Sequence, residues 1–423
     1  MTAHGDGGTA TPNGRRDPSR KQRDGTTADR RAIAALLLGV VAAFADIYTT
    51  QPILPTLGRV FAVTPARSGL TVSAAVFCVG LAATFYGPLS DRIGHKPVMV
   101  WSCALLVVPT LGAALAPTFE LFLLCRLLQG LLIPGTTVVA VALVQEEFPP
   151  AWRGAATGAW VSATTIGGLA SRLVAGLAAE LGGWRWAFLL SAGTTALGAL
   201  LMARWLPGGL WPAARDRGAA TRPLAQLLAA LGALGRAYAV MFRFFRRRRI
   251  VGVAAVGFGV FFAFIAVFTY LPYRVAAPPF SFGPAATGSL FLTYLAGTVV
   301  TPWVGRLSDA RGRRATIAGA MAVVAAGMAL TAAPALVALI LGLVLFSGGM
   351  FAVQAVATAF VGEQAPEAKG GATAFYLLFY YLGATCSPPV AGLAWQAQGW
   401  GGVLALCLAL LLAALAALVF LCR

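Results

Sequence analysis

The sequence predicts an all-α membrane protein of about twelve transmembrane helices, built as two six-helix parallel-repeat halves. Three observations carry that expectation. Of 423 residues, 59% are hydrophobic and only 11% are charged, against about 25% charged in an ordinary soluble chain. Apolar stretches of about 20 residues, enough to cross a bilayer, recur along the chain with turn residues between them. Features of the first half return in the second at a nearly constant offset. A soluble protein of this length needs a polar shell around two or three cores, and the residues for such shells are missing. Lipid is therefore the solvent for most of the surface.

Taken in order, residues 1–31 are rich in Gly, Thr, Pro, Arg and Asp and read as a disordered basic tail. Such a tail argues against a cleavable signal peptide. Spans are expected near 32–55, 68–89, 97–116, 119–147, 154–181 and 184–206 in the first half. A polar stretch, 207–249, carries Arg215, Arg217, Arg222, Arg236, Arg243 and the run Arg246 to Arg249. It reads as a basic loop between the halves and a topology anchor, with contact to anionic lipid as the second reading. The second half, 250–423, has spans near 250–274, 284–306, 315–333, 335–362, 370–396 and 400–421. With the tail inside, the inner segments hold 26 of the 32 Lys and Arg residues, while the outer loops hold only Arg59, Arg67, Arg185 and Arg274. That asymmetry predicts both termini in the cytoplasm. The net charge of +18 falls in short clusters between apolar runs. A nucleic-acid footprint needs a basic face on a folded soluble module, so none is expected here.

Three matches define the repeat. Gly87-Pro-Leu-Ser-Asp91-Arg92-Ile-Gly94-His-Lys96 returns as Gly305-Arg-Leu-Ser-Asp309-Ala-Arg311-Gly312-Arg313-Arg314, 218 residues on. Glu147 to Gly154 returns as Glu363 to Gly370, and Gly183-Trp184 as Gly399-Trp400, both at 216. Halves that both begin inside are parallel repeats about an axis along the membrane normal, with a midplane site expected between them. In the first loop, Gly94 permits a positive-φ turn. Asp91 is placed to cap the next helix or pair with an arginine, and Arg92 and Lys96 are expected to stay in water.

These strings carry a resemblance. The loop Gly87–Lys96 resembles the signature between spans two and three of the major facilitator superfamily, and Gly305–Arg314 its degenerate copy. Leu124-Cys-Arg126-Leu-Leu-Gln129-Gly130 is similar to that family's fourth-span motif. Gln51-Pro52-Ile-Leu-Pro55 and Phe379-Tyr380-Tyr381-Leu382-Gly383 resemble its twelve-span drug:proton antiporter branch, and more narrowly bacterial inner-membrane transporters of the arabinose-efflux type. The resemblance implies a secondary transporter, not an enzyme, moving a small-molecule substrate by alternating access in exchange for protons. It needs no cofactor or metal, and it is expected to function as a monomer. It also implies that Gly87, Asp91, Arg92, Gly94, Lys96 and Gly305, Asp309, Arg311, Gly312, Arg313 form conformational-switch loops. His95 and Ala310 stand where basic residues are expected, so a weaker charge network is predicted.

Three ionisable residues fall deep inside spans, all in the first half: Asp46, Arg126 and Arg172. Intramembrane charge usually faces a cavity or a partner. At about 1.5 Å per residue, Asp46 and Arg126 lie at similar depth and Arg172 somewhat higher. Asp46 is expected to be a proton-carrying carboxylate with Arg126 and Arg172 as competing partners; the resemblance gives Arg126 a proton-transfer role. A static ion pair, or capping of a helix break before Pro52 by Asp46, are the other readings. Arg172 stands in Gly167-Gly168-Leu-Ala-Ser171-Arg172-Leu-Val-Ala-Gly176, which departs from the Gly-Pro antiporter motif. For the substrate cavity we expect Gln51, Gln129, Phe264, Phe268, Tyr270, Tyr294, Gln354, Tyr376 and Tyr380. They suit a hydrophobic, amphipathic or sugar-like solute. Only two histidines exist, His4 and His95, neither in a span, and the cysteines form no CxxC pair. An ATP-binding Gly-rich loop is also missing, so an ATP-driven pump is not expected. Proton-coupled uptake, facilitated diffusion, and a channel or non-transporting sensor remain as alternatives.

Overall fold

A computed structural model of the protein describes residues 18–207, 243–366 and 369–422. The loop arginines Arg215, Arg217, Arg222 and Arg236 lie outside the described residues, as do residues 1–17.

The first crossing is made of α1 (Pro18–Tyr48), a 3-10 turn (Gln51–Ile53) and α2 (Leu54–Val60). Then follow α3 (Pro65–Ile93), α4 (His95–Leu115), α5 (Phe119–Thr137) with its short continuation α6 (Val139–Glu147), α7 (Pro150–Gly182) and α8 (Trp184–Trp205). After a 3-10 turn (Arg243–Arg246), the second half comprises α9 (Arg248–Ala276), α10 (Pro284–Ser289), a 3-10 turn (Leu290–Tyr294), α11 (Leu295–Arg311), α12 (Arg313–Leu330), α13 (Leu336–Gln364) and α14 (Lys369–Leu421).

Among the described residues, ten helical stretches are long and apolar enough to cross a membrane. One of them, α14, is broken at Gln398 and Gly399 and crosses twice. The stretch 284–311 adds a further crossing in three pieces. Large apolar side chains on the outer faces stand open, among them Leu181 at 80% and Leu115 and Val337 at 70% exposure. Those faces fit acyl chains and not water.

Among the described residues the glycines with positive φ are Gly94, Gly183, Gly312 and Gly399, at +100°, +91°, +85° and +58°. They are two repeat-related pairs. L side chains rarely adopt this backbone, so each glycine marks a point where one helix ends and the next begins without an intervening loop. The reversal after α3 needs only Gly94 itself.

Three expectations are corrected. Helix α1 starts at Pro18, so residues 18–31 are helical and not part of a disordered tail. Proline at the first position and the Lys, Arg and Gln that follow favour a helix, and the span behind it propagates one. Lys96 is buried at 7% exposure; its Nζ donates to the Leu206 carbonyl at the end of α8, 2.7 Å away. Asp91 lies within the last turn of α3 and caps nothing in α4, whose first residue follows Gly94 without a side-chain cap.

In the first half, α1 packs on α7 and α8, while α4 packs on α5 and α8. In the second, α9 lies along α14 and α12 along α13. The halves meet where α3 crosses α14 and α7 crosses α10. The α7–α10 crossing is a backbone approach: a Cβ at Gly176 would stand 2.4 Å from the Pro284 carbonyl oxygen, and one at Gly288 2.7 Å from that of Arg172.

Candidate functional site

The first crossing stops being a regular helix after Tyr48, just before Pro52. A helix end inside the membrane leaves carbonyls without partners, and lipid offers none. Arg126, on α5, answers this. Its Nη1 donates to the Asp46 carbonyl (2.6 Å), Nη2 to the Ile47 carbonyl (2.6 Å) and Nε to the Thr71 carbonyl of α3 (2.9 Å). Nη1 also reaches Gln129 Oε1 at 2.7 Å, one turn along α5 where i and i+3 share a face. Arg126 is wholly buried.

The Asp46 side chain points elsewhere. Ser191 Oγ donates to Oδ1 at 2.6 Å; Thr195 Oγ1 and Thr110 Oγ1 lie 3.2 and 3.3 Å from Oδ2. Ser191 and Thr195 are one turn apart on α8, which aligns them. Among the described residues Asp46 makes no ion pair, so the expected direct pairing with Arg126 or Arg172 is not what the structure shows. It is replaced by a chain: Arg126 Nη1 holds Gln129 Oε1, Gln129 Nε2 donates to Thr110 Oγ1 (2.9 Å), and Thr110 touches Asp46. Thr110 has a single hydroxyl proton and also lies 2.8 Å from the Leu106 carbonyl. Hydroxyls both donate and accept, so this cradle accommodates a carboxylate and a carboxylic acid alike.

Arg172 stands apart, on the face of α7 that meets the second half. Its Nε donates to Gln51 Oε1 at 2.7 Å, and Nη1 donates to the Gly168 carbonyl. Its guanidinium carbon sits 4.0 Å from the Tyr48 ring centre, 4.9 Å from Tyr294 and 5.0 Å from Phe291. Phe291 and Tyr294 share a face because the 3-10 turn carrying them repeats every three residues.

The aromatic residues expected to line a cavity divide into three groups. Phe264, Phe268 and Tyr294 are joined, with ring centres 4.5 to 5.1 Å apart, and adjoin Arg172 through Tyr294. Tyr376 and Tyr380 form a second cluster, Tyr380 stacked on Phe261 at 3.7 Å. Tyr270 belongs to neither: its hydroxyl donates to the Pro388 carbonyl at 2.5 Å, in the seam between α9, α3 and α14. Gln129 is fully committed to Arg126 and Thr110. Gln354 is half-buried on α13.

Among the described residues, hydrogen bonds between the halves gather at the end of the bundle remote from α1's start. Tyr273 OH meets Ser68 Oγ (2.5 Å) and donates to the Leu54 carbonyl (3.0 Å), and Glu180 Oε2 accepts from the Ala285 N–H (2.9 Å). At the opposite end stand the two loops that match each other in sequence. Arg313 pairs with Glu363 (2.8 Å) and with Asp309 (3.1 Å), and its Nη1 donates to Ser308 Oγ. In the first half, His95 Nε2 lies 3.8 Å from Glu146. The second-half loop also ends like the first: Arg314 Nη2 donates to the Val419 carbonyl near the end of α14 (2.6 Å), as Lys96 does to Leu206. Gly87, Gly305 and Arg311 flank these contacts; Asp91, Arg92 and Arg311 are exposed.

Sequence reasoning did not single out Thr110, Ser191, Thr195, Tyr48, Phe291 or Ser68. Hydroxyls are common in membrane helices, where they bond to their own backbone, so nothing marks the three that face a carboxylate.

The sequence model of the Major Facilitator Superfamily matches residues 36–277 and again 275–423. The chain is 33% identical to the inner membrane transport protein YnfM of Escherichia coli, over 91% of this chain and 89% of that protein. It is 30% identical to the uncharacterized MFS-type transporter YybF of Bacillus subtilis, over 93% and 94%. Its fold is similar to a crystal structure of a bacterial homolog of the human lysosomal transporter Spinster in an inward-facing, unoccupied conformation. That likeness has a TM-score of 0.67 and 17% identity, over 93% of this chain and 95% of that one. With its apolar crossings, paired loops and buried polar network, the chain belongs to the Major Facilitator Superfamily and is a multi-pass membrane transporter.

Proposed function

We propose that the protein is a proton-coupled secondary transporter that exports a small hydrophobic, amphipathic or sugar-like solute across a bacterial inner membrane. Asp46 carries the proton. The supporting observation is its setting: a carboxylate fully out of solvent, held by three hydroxyls and by no arginine. Deprotonation there leaves a charge that only the neighbouring dipoles and the nearby Arg126 compensate, so protonation and helix arrangement are coupled. Arg126 binds the carbonyls of Asp46 and Ile47, and thus holds the very turn whose movement changes that setting.

The distribution of Lys and Arg supports termini in the cytoplasm. The end sealed by Tyr273, Ser68, Leu54 and Glu180 then faces outward, and the end with the switch loops faces the cytoplasm. Alternating access breaks that seal and closes the loops on each other. Resemblance to the drug:proton antiporter branch supports export.

The test is transport in proteoliposomes with an imposed pH gradient, screened against hydrophobic cations, sugars and weak acids, for wild type and Asp46→Asn. The expected outcome is movement driven by the gradient in wild type and not in the variant. A variant that keeps full dependence on the gradient removes Asp46 from the role; flux indifferent to pH in both makes the protein a facilitator.

A further inference from the structure

Arg172 is only 1% exposed and yet has no acid beside it: among the described residues it makes no ion pair. Burying a charge without a partner is costly, and three aromatic rings offset only part of that. Among the described residues its Nε and Nη1 donate hydrogen bonds and its Nη2 donates none. Two polar atoms in the same place are buried without a partner, Gln51 Nε2 and the Tyr294 hydroxyl. Native proteins leave few such groups. Both nitrogens are donors and the hydroxyl can donate, so the missing complement is an acceptor with negative charge.

Arg126, the other arginine buried in the spans, is committed to three carbonyls and Gln129. A single free guanidinium face matches a single negative charge. A dianion would keep one charge uncompensated. The surrounding walls are the rings of Tyr48, Phe291 and Tyr294, with Phe264 and Phe268 behind Tyr294. They offer apolar faces to the rest of the ligand. Planar carboxylate and guanidinium also fit one another in paired hydrogen bonds.

The site is shared between the halves. Arg172, Gln51 and Tyr48 come from the first half, Phe291 and Tyr294 from the second. Separating α7 from the 3-10 turn 290–294 would strip two of the three rings from the guanidinium and open it to water. An anion seated there supplies the charge that the rings do not.

We infer that Arg172, Gln51 and Tyr294 form the recognition site for the transported solute, and that this solute is a small organic monocarboxylate with an apolar, ring-sized body. This rests on the transporter reading above and narrows its amphipathic class.

The experiment uses the purified full chain in detergent, titrated calorimetrically with benzoate, its neutral isostere benzamide, and inorganic phosphate. Benzoate is expected to bind at least about tenfold more tightly than benzamide or phosphate. Arg172→Gln is expected to lose at least about tenfold in benzoate affinity, with Arg172→Lys in between, and Tyr294→Phe to lose about threefold. Equal binding of benzoate and benzamide, preference for phosphate, absence of any benzoate binding, or unchanged affinity in folded Arg172→Gln each overturns the inference. The wild-type comparison decides even if a variant fails to fold. A parallel flux measurement separates the two claims. Transport of a sugar or a hydrophobic cation that ignores both benzoate and Arg172→Gln keeps the transporter reading and removes this one. Benzoate binding without flux of any solute leaves an anion site at Arg172 and overturns its role in transport.

Discussion

The two halves repeat one another in sequence and differ in what fills them. The first is held deep inside by directional bonds: Arg126 on three carbonyls, Asp46 on three hydroxyls, Gln129 between them. The second is held by rings, with Phe264, Phe268, Phe291, Tyr294 and Phe346 in mutual contact and no buried Asp, Glu, Lys or Arg among its described residues. Hydrogen bonds fix position and protonation, whereas apolar contacts are non-directional and tolerate sliding. On the function proposed above, the first half senses a charge and the second repacks against it. A duplicated fold has divided its labour.

Breaking the polar side should have the largest effect. Arg126→Leu leaves the carbonyls of Asp46, Ile47 and Thr71 without donors in a dry interior, and each such group costs about 1–3 kcal/mol. The expected outcome is loss of transport and a fall in thermal stability of several degrees, read by size-exclusion profiles of heated, detergent-solubilised protein. Next in size is the joint between the halves. Gly176→Val places a side chain against the Pro284 carbonyl, so α7 and α10 must part, at a cost of about 1–3 kcal/mol. Maleimide labelling of a cysteine placed at Ala66, beside Gly392 in the seam, should speed up several-fold. Unchanged labelling would mean that the seal does not depend on this approach.

A smaller change tests the ring side. Tyr273→Phe removes the hydroxyl shared by Ser68 and Leu54, worth about 1 kcal/mol, and should raise labelling at Ala66 about fivefold with no effect on folding. The smallest concerns the unequal loops. His95→Arg gives the first loop the residue that its second-half counterpart has, and a half-exposed pair contributes at most about 1 kcal/mol. A slightly slower turnover at unchanged half-saturation is expected; faster turnover would show that the loop does not hold the state in which the two loops close on each other.

Much of this was legible in the sequence because membrane crossing is governed by length and hydropathy. Spans were placed within a few residues, and the repeat was visible through Gly94, Gly183, Gly312 and Gly399, since no other residue takes their backbone at low cost. The depth of Asp46 and Arg126 followed from rise per residue. Their partners did not. Whether Arg126 holds a carboxylate or the main chain beside it depends on rotamers and on where α1 stops, and the sequence indicates only that a stop is near Pro52. The aromatic cage was hidden for a related reason: Phe291 and Tyr294, at i and i+3, share a face in either kind of helix, but that this face meets Arg172 of the other half is set by packing between the halves. Lys96 was misplaced because the positive-inside rule concerns topology and says nothing about whether a side chain then folds back onto a helix end.

The two ties from Lys96 to Leu206 and from Arg314 to Val419 have a mechanical consequence. Each fastens the start of a half's third membrane crossing to the end of its sixth, closing the half into a ring at the end where the chain leaves it. A ring closed in this way resists internal shear. Deformation is thereby pushed out of the two halves and into what lies between them, where close glycine contacts, a few tyrosine hydroxyls, the Glu180–Ala285 bond and the rings around Arg172 must give. Stiff halves joined by a compliant seam make a rocker, and a charge gained or lost on one side can then be felt as a tilt on the other.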